Sequence, residues 1–286
     1  MMNQALLQSF IESALAEDVG PGDYTTLACI PVEEKGKAIL RIKEAGILAG
    51  MEVAEAIFRY LDKEMSFHKQ KEDGAEIAPG EAAFEVEGRV HAILQGERLV
   101  LNCMQRMSGI ASLTRRYTER LEGYHTRLLD TRKTTPNFRF LEKEAVRIGG
   151  GVNHRMGLYD MIMLKDNHID FCGGIRPAVS RVQGFLKKQH LALKIEVEAR
   201  SLEDVKEVLS IEGIDRIMLD NFSPEQLDTA MKLIAGRLET EASGGIDIDT
   251  LEEYARTGVD FISAGAVIHH AVSLDLSLKA ELAASH

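Results

Sequence analysis

The sequence predicts an α/β protein in which an N-terminal α+β domain, of the open-sandwich type, precedes an incomplete parallel α/β barrel of six to seven strands. Short strand-like runs alternate with helical segments early in the chain, which is typical of strands packed beside helices. A long amphipathic helix is predicted at 97–121. Beyond it, strand-like runs are each followed by a helical segment, and the last four of them recur about every 22 residues, as in the β/α units of a barrel. We expect the first domain at 1–110, joined by part of the tail at 270–286, and the barrel at 111–269.

Hydrophobic periodicity defines the elements of the first domain. Apolar residues at helical spacing predict two helices, and a turn containing glycine and proline follows the first of them at Asp18. Further strand-like pieces, separated by glycine-containing turns, lie between Met65 and Leu94. The predicted helices are 3–17 and 51–63, and the first predicted strands are 36–43 and 46–50.

The barrel strands are predicted from short apolar runs. Ile217, Met218 and Leu219 are apolar at consecutive positions, as expected for a strand that is buried on both faces. Six such runs are found, fewer than the eight strands of a regular eightfold barrel. The predicted strands are 128–129, 161–165, 194–198, 216–220, 239–243 and 261–265.

Composition excludes several classes of protein. The chain has 286 residues, 45% of them apolar, and a formal net charge of -11, which disfavours non-specific binding to nucleic acid or to an anionic membrane. The first residues lack the basic region of a signal peptide, and no apolar run approaches the ~20 residues of a membrane span. Cys29, Cys103 and Cys172 are far apart and lack metal-ligand spacing. We therefore expect a cytoplasmic protein.

Charged and small residues stand where the predicted barrel strands end. In parallel barrels these positions form the active site, and phosphate often binds at the last two βα loops. Any one of these residues is as readily explained as a helix cap or a surface charge, but their order predicts a site for a phosphosugar, a divalent metal ion and a small carboxylic acid. In chain order they are Arg132, Lys133, Lys165, Glu198, Asp220, Ser243-Gly244-Gly245 and Ala264-Gly265-Ala266.

The motifs DTRKTTP, EKEAVRIGGGVNHR, MGLYD and KDNH follow one another between 130 and 168, and ER-x3-N-x2-QR-x-SGIA precedes them from Glu97. In this order and spacing they resemble the quinolinate phosphoribosyltransferase family, and the resemblance extends from Asp18 to about Lys279. It implies transfer of ribose 5-phosphate from 5-phosphoribosyl 1-pyrophosphate to quinolinate, with loss of CO₂, in NAD biosynthesis.

The resemblance also implies roles for individual residues. Arg98 would complete the site of a partner subunit in a homodimer, and assembly beyond the dimer is left open. Mg²⁺ would be held by Glu198 and Asp220, directly or through water, and no organic cofactor is implied. The implied catalytic residues are Lys133, Lys165, Glu198 and Asp220. Quinolinate would contact Arg98, Arg132, Lys133, His154, Arg155 and Lys165. The phosphoribosyl substrate would contact Thr134, Glu198, Asp220, Ser243, Gly244, Gly245, Ala264, Gly265 and Ala266.

Two departures from the family pattern stand out. Asn137-Phe138-Arg139 follows Pro136 where glycine and leucine are common, and Ile268-His269-His270 replaces the expected Leu/Met-Thr-His/Gln. Asn tolerates a left-handed backbone, so we expect the first turn to survive. Two alternatives stay open at this point. One is a homologue with another acceptor, such as the molybdenum-transport-associated relatives, and the other is a non-catalytic metabolite-binding protein on the same fold.

Overall fold

The computed structural model describes residues 3–281, so residues 1–2 and 282–286, which the predicted N-terminal domain includes, lie outside the described part. The chain divides into two compact units. Unit 1 comprises 1–115, 135–150 and 270–286, and unit 2 comprises 116–134 and 151–269. The domain division at 110/111 stays a prediction. The packing places residues 135–150, which lie inside the predicted barrel domain, with unit 1.

Helices and strands alternate along the chain. The helices are α1 (Gln4–Asp18), α2 (Tyr24–Cys29), α3 (Met51–Leu61), α4 (Val90–Arg120), α5 (Arg139–Ile148), α6 (Asp166–Cys172), α7 (Ile175–Gln189), α8 (Leu202–Leu209), α9 (Pro224–Ile234), α10 (Leu251–Ala255) and α11 (Ala266–His269). The strands are β1 (Lys35–Ile42), β2 (Gly46–Ile47), β3 (Ser66–Lys69), β4 (Glu76–Ile77), β5 (Ala82–Arg89), β6 (Arg127–Leu129), β7 (Ile162–Leu164), β8 (Ile195–Ala199), β9 (Arg216–Asp220), β10 (Glu239–Ser243), β11 (Phe261–Ser263) and β12 (Leu276–Glu281). No helix in the described range 3–281 is long and apolar enough to cross a membrane.

Unit 1 is built on an antiparallel sheet of four strands in the order β12-β1-β5-β3. Leu40 of β1 pairs with Phe84 on one side and with Leu278 on the other, so the last described strand completes the first domain's sheet. The aromatic rings of Phe58, Phe67 and Phe84 pack together, with 4.4 Å between the last two centroids. This apolar cluster forms the core between the sheet and α3.

Helix α4 begins seven residues before the predicted start at 97, so the predicted start is wrong and Arg98 does not open the helix. Gly96 lies inside the helix, and a Cβ there would approach the Phe58 ring to 2.9 Å. Close packing therefore explains this glycine, although glycine weakens a helix interior. Arg98 lies in the third turn and is exposed. The short helix α2 was also missed, although Asp23 caps it.

Unit 2 contains a parallel sheet of six strands in the order β6-β11-β10-β9-β8-β7. All six predicted barrel strands are present within about two residues of their predicted bounds, which is the usual uncertainty of strand ends. Within residues 3–281 the sheet is not closed, since β6 and β7 are its edges, and the one bridge beyond β6 joins Val152 to Leu129. The prediction of an incomplete parallel barrel is therefore confirmed, with six strands.

A pair of helical glycines tests the packing of unit 1. Gly109 is buried in α4, and a Cβ there would lie 2.0 Å from the backbone oxygen of Val272. We expect Gly109→Ala to lower the free energy of unfolding by about 1–3 kcal/mol, because a backbone atom cannot move aside easily. Gly184 in α7 is the matched control, since a Cβ there meets nothing within 4 Å. Gly184→Ala should raise stability by about 1 kcal/mol, in line with helix propensity.

Urea unfolding of both variants measures this difference. A stable Gly109→Ala protein would show that the 270–281 segment does not pack against α4 as described.

Candidate functional site

The carboxyl ends of the barrel strands bring the predicted residues together. Ser243 pairs in register with Asp220, and Ala199 of the next strand pairs with Leu219. Because side chains alternate along a strand, Glu198, Asp220 and Ser243 point to one face of the sheet at neighbouring strand ends. Lys165 directly follows β7 and lies next to them, with its Nζ 3.8 Å from Glu198 Oε2.

Two carboxylates lie at this edge. Burial raises the pKa of Glu198, the backbone N–H of Asp166 opposes this, and the negative charge of Asp220 raises it further. The Asp166 N–H donates to Glu198 Oε1 over 3.3 Å. Oxygen ligands of this kind, on adjacent strands and mutually repelling, fit a hard divalent cation such as Mg²⁺.

Four positively charged side chains belong to the loops at these strand ends: Arg132, Lys133, Arg155 and Lys165. Burial lowers the pKa of Arg155, and the nearby positive charge of Arg132 lowers it further. The Arg132 Nε is buried and has no hydrogen-bond partner within 3–281. In the same described range, neither arginine forms an ion pair with a carboxylate within 4 Å. Guanidinium groups held together without an anion are suited to bind one.

Asp130 fixes the two loops that carry these arginines. It is fully buried at the end of β6, two residues before Arg132. Its Oδ1 accepts a hydrogen bond of 2.8 Å from the backbone N–H of His154, and its Oδ2 accepts one of 2.6 Å from the Asn153 amide. The second loop is therefore tied to the end of β6 just before Arg155.

The loop after β10 has the backbone expected of a phosphate turn. Gly244 and Gly245 have φ of +107° and +63°, and a Cβ on Gly244 would lie 2.2 Å from the Asn221 side-chain oxygen. Only glycine fits the first position, and a left-handed turn exposes backbone N–H groups to an anion. Ser243 accepts a hydrogen bond from the Asn221 backbone N–H, which couples this turn to the loop after Asp220.

The loop after β11 lies beside Lys133. A Cβ on Gly265 would come within 3.0 Å of Lys133 Cδ, so the absent side chain makes room for the lysine. The Ala264 N–H donates to the Leu129 oxygen over 3.0 Å. Of the three predicted phosphate-binding residues 264–266, Ala264 thus uses its N–H within the sheet, which leaves Gly265 and Ala266 at the start of α11.

His154 is the predicted residue whose surroundings differ most from expectation. It is 8% exposed, and its Nε2 lies 3.1 Å from Glu196 Oε2 and 3.2 Å from Glu241 Oε2. Burial alone lowers the pKa of His154, but the two carboxylates outweigh it and raise the pKa to about 9. Burial and the charge of Glu241 raise the pKa of Glu196 to about 7.

The Arg155 backbone N–H donates to His154 Nδ1 over 2.6 Å, which requires Nδ1 to lack a proton. The ring proton therefore lies on Nε2, the nitrogen that faces the two carboxylates, whose charges favour a proton there. Neither glutamate was predicted as functional. The signal was present, because Glu196 and Glu241 stand two positions before Glu198 and Ser243 and so share their face of the strand.

The remaining predicted residues are distributed between the units. Arg98 belongs to unit 1, and Thr134 closes a turn of unit 2 by donating its N–H to the Arg132 oxygen. Asn137 has φ of +61°, which confirms the left-handed turn expected there. Of the second departure, Ile268 is buried, whereas His269 is exposed. Ile268 therefore packs in the core of unit 2.

Comparisons with known proteins agree with one another. Family models for the N-terminal and C-terminal domains of quinolinate phosphoribosyl transferase match residues 23–108 and 110–279. A chloroplastic carboxylating nicotinate-nucleotide pyrophosphorylase of Arabidopsis thaliana is 44% identical over 96% of this chain and 82% of its own length. A probable enzyme of the same name from Bacillus subtilis is 41% identical over 98% of this chain and 96% of its own.

Solved structures give the same result. NadC from Streptococcus pyogenes has a TM-score of 0.91 and 41% identity, covering 98% of this chain and 97% of its own. The nicotinate-nucleotide pyrophosphorylase of Francisella tularensis has a TM-score of 0.90 and 36% identity, covering 98% of each chain.

Proposed function

The chain belongs to the quinolinate phosphoribosyltransferase family, and from that premise we propose which of its residues carry out the reaction. It is a decarboxylating phosphoribosyltransferase of NAD biosynthesis, acting on quinolinate and 5-phosphoribosyl 1-pyrophosphate. The ring nitrogen of quinolinate bonds to C1′ of the ribose as the bond from C1′ to pyrophosphate breaks. The 2-carboxylate then leaves as CO₂, and a proton replaces it to give nicotinate mononucleotide. No observation favours another acceptor or a non-catalytic role.

Quinolinate binds to the cations at the barrel mouth. Arg132, Arg155 and Lys165 hold its two carboxylates, while Lys133 lies where quinolinate and pyrophosphate meet. The observation that carries this assignment is the pair of arginines held close together without a carboxylate partner, because such a pair is stabilised when a dianion enters. Arginine also provides bidentate geometry for a carboxylate.

The phosphoribosyl group binds on the other side of the mouth. Gly244 and Gly245 offer backbone N–H groups to the 5-phosphate, together with Ser243, and Gly265 with Ala266 does the same from the next loop. Thr134 contributes beside Lys133. The left-handed turn at Gly244 supports this assignment, since no larger residue fits next to Asn221.

Glu198 and Asp220 face the ribose, and both would also hold Mg²⁺, directly or through water. When bound, the ion supplies positive charge that stabilises the departing pyrophosphate. The two carboxylates stabilise the ribose as its C1′ becomes cation-like, and Lys133 and Lys165 stabilise the negative charge that moves to pyrophosphate. In the second step the pyridinium ring itself accepts the electron pair of the breaking C–C bond. The cations then need only hold the 3-carboxylate while the 2-carboxylate lies in a drier place.

We further propose a cytoplasmic homodimer in which Arg98 completes the site of the partner subunit. Arg98 is exposed and belongs to unit 1, while the other clamp residues belong to unit 2. Among residues 3–281 no hydrogen bond or ion pair engages the Arg98 side chain, so it is available to a bound anion. Two-fold pairing would then create two equivalent composite sites.

Loss of a strand-end cation should abolish the reaction. With quinolinate, 5-phosphoribosyl 1-pyrophosphate and Mg²⁺, the wild-type protein should release equal amounts of CO₂ and pyrophosphate. Lys133→Ala should reduce turnover at least roughly a hundredfold without loss of stability, because it removes electrostatic stabilisation of the transition state. Lys187→Ala, which alters an exposed lysine of α7, is the control.

Excess chelator should stop the reaction, and added Mg²⁺ should restore it. Near-normal turnover by Lys133→Ala would refute its role, and full activity in chelator would refute the metal role of Glu198 and Asp220.

Subunit mixing tests the shared site. Arg98→Ala and Lys133→Ala proteins, each inactive alone, are dissociated and reassociated in equal amounts. If Arg98 acts on the partner's site, each mixed dimer has one intact site and one site with both lesions. Random pairing makes about half of the dimers mixed, so roughly a quarter of wild-type activity should return. If Arg98 acts within its own subunit, every site keeps one lesion. Absence of activity after verified exchange would therefore contradict the shared site.

A further inference from the structure

A layer of buried charges lies directly beneath the strand ends of unit 2. Glu196 and Glu241 are fully buried, and they precede Glu198 and Ser243 by two residues on β8 and β10. Inward residues of a parallel barrel stack in such layers. The proposed reaction site therefore rests on these carboxylates and on the His154 ring that they enclose.

Both ring nitrogens of His154 face protein groups, and Nε2 is turned toward the buried carboxylates rather than the opening at the strand ends. Its Nδ1 accepts the Arg155 N–H, and its Nε2 faces Glu196 and Glu241 at 3.1 and 3.2 Å. A direct contact between quinolinate and either ring nitrogen would require the arrangement at that nitrogen to break. The geometry thus indicates that His154 acts through other residues.

We propose that Glu196 and Glu241 are positioning residues, which hold the His154 imidazole and thereby fix the Arg155 guanidinium beside Arg132 in the orientation that binds a dicarboxylate. This inference rests on the proposed function of that site. The His154 ring acts directly on the backbone that carries the guanidinium, because the Arg155 N–H donates to the Nδ1 of the preceding residue. The Arg155 Nη1 also donates to the Met161 oxygen over 3.2 Å, which fixes the far end of the side chain.

Such support is needed because the two arginines repel each other. Burial and the charge of Arg132 both disfavour the charged form of Arg155. Like charges in a partly buried place separate unless the backbone that carries them is held firmly. Asp130 holds one side, through the His154 N–H, and the buried carboxylates hold the other, through the ring.

The same three residues also have the spacing of a metal site, since their ligand atoms lie within 4.8 Å of one another. A positioning role fits the charges better. Arg216 Nη1 lies 3.2 Å from Glu241 Oε2, and its guanidinium stacks 4.4 Å from the Phe261 ring centroid. Arg216 supplies positive charge to Glu241, and the proton on His154 Nε2 faces both carboxylates, so the buried carboxylates have partners of opposite polarity within the protein.

The test is Glu241→Gln, which keeps the shape of the side chain and removes its charge. Glu239→Gln is the matched control. It is the same change two residues earlier on β10, at a half-exposed side chain that pairs with Arg216 and Lys194 but does not contact His154. We expect Glu241→Gln to raise KM for quinolinate roughly tenfold or more, because the imidazole then loses one of the two carboxylate charges that face its Nε2. KM for 5-phosphoribosyl 1-pyrophosphate should stay within about twofold, and Glu239→Gln should resemble the wild type.

Two further measurements separate positioning from a merely structural role. Phthalate has the shape and charges of quinolinate but lacks the ring nitrogen, so calorimetry reports the clamp without turnover. In Glu241→Gln the Kd for phthalate should rise by about the same factor as the KM for quinolinate. In a double-mutant cycle, Glu241→Gln added to Arg155→Ala should weaken phthalate binding little beyond Arg155→Ala alone, because coupled residues are non-additive. Glu196→Gln, which leaves the Arg216 ion pairs intact, repeats the test if Glu241→Gln does not fold.

An unchanged KM for quinolinate in folded Glu241→Gln and Glu196→Gln would overturn the inference. Additive losses in the cycle would do the same, and so would one equivalent of divalent metal that survives dialysis and is lost in Glu241→Gln. Wild-type protein that binds phthalate but does not release CO₂ from quinolinate would count against the proposed function alone.

Discussion

The repulsion between the guanidinium groups of Arg132 and Arg155 is the constraint on which the site of unit 2 depends. Neither group has a carboxylate partner within 4 Å among residues 3–281, and the charge of one disfavours the charged form of the other. Keeping two such groups together costs stability in the free protein, and a bound dianion offsets that cost. Preorganisation of this kind provides binding and selectivity with no rearrangement at the moment of reaction.

The parallel barrel makes this arrangement possible. Every strand of unit 2 ends at the same edge, so residues far apart in sequence, such as Lys165 and Gly265, become neighbours of one opening. Strand periodicity then separates two functions along the same strand. On β8, Glu198 faces the opening and Glu196 the layer beneath it. On β10, Ser243 and Glu241 are divided in the same way.

Much of this could be predicted from the sequence, and the exceptions have physical causes. The barrel strands were predictable because short apolar runs are characteristic of strands buried on both faces. The start of α4 was not, because glycine weakens a helix interior and only the fold shows that Gly96 packs against the Phe58 ring. Glu196 and Glu241 were missed because carboxylates are rarely buried, and only their partners in the fold make burial tolerable. Motif resemblance identified His154, but it could not tell that both ring nitrogens face protein groups.

The central claim is that the barrel mouth recognises two adjacent carboxylates on the acceptor ring. The most direct measurement compares kcat/KM for pyrophosphate release with quinolinate and with nicotinate, which lacks the 2-carboxylate. The account predicts that quinolinate is preferred roughly a hundredfold or more, because nicotinate leaves the two half-buried arginines without a carboxylate that they would otherwise bind. Comparable values for the two acids would contradict it.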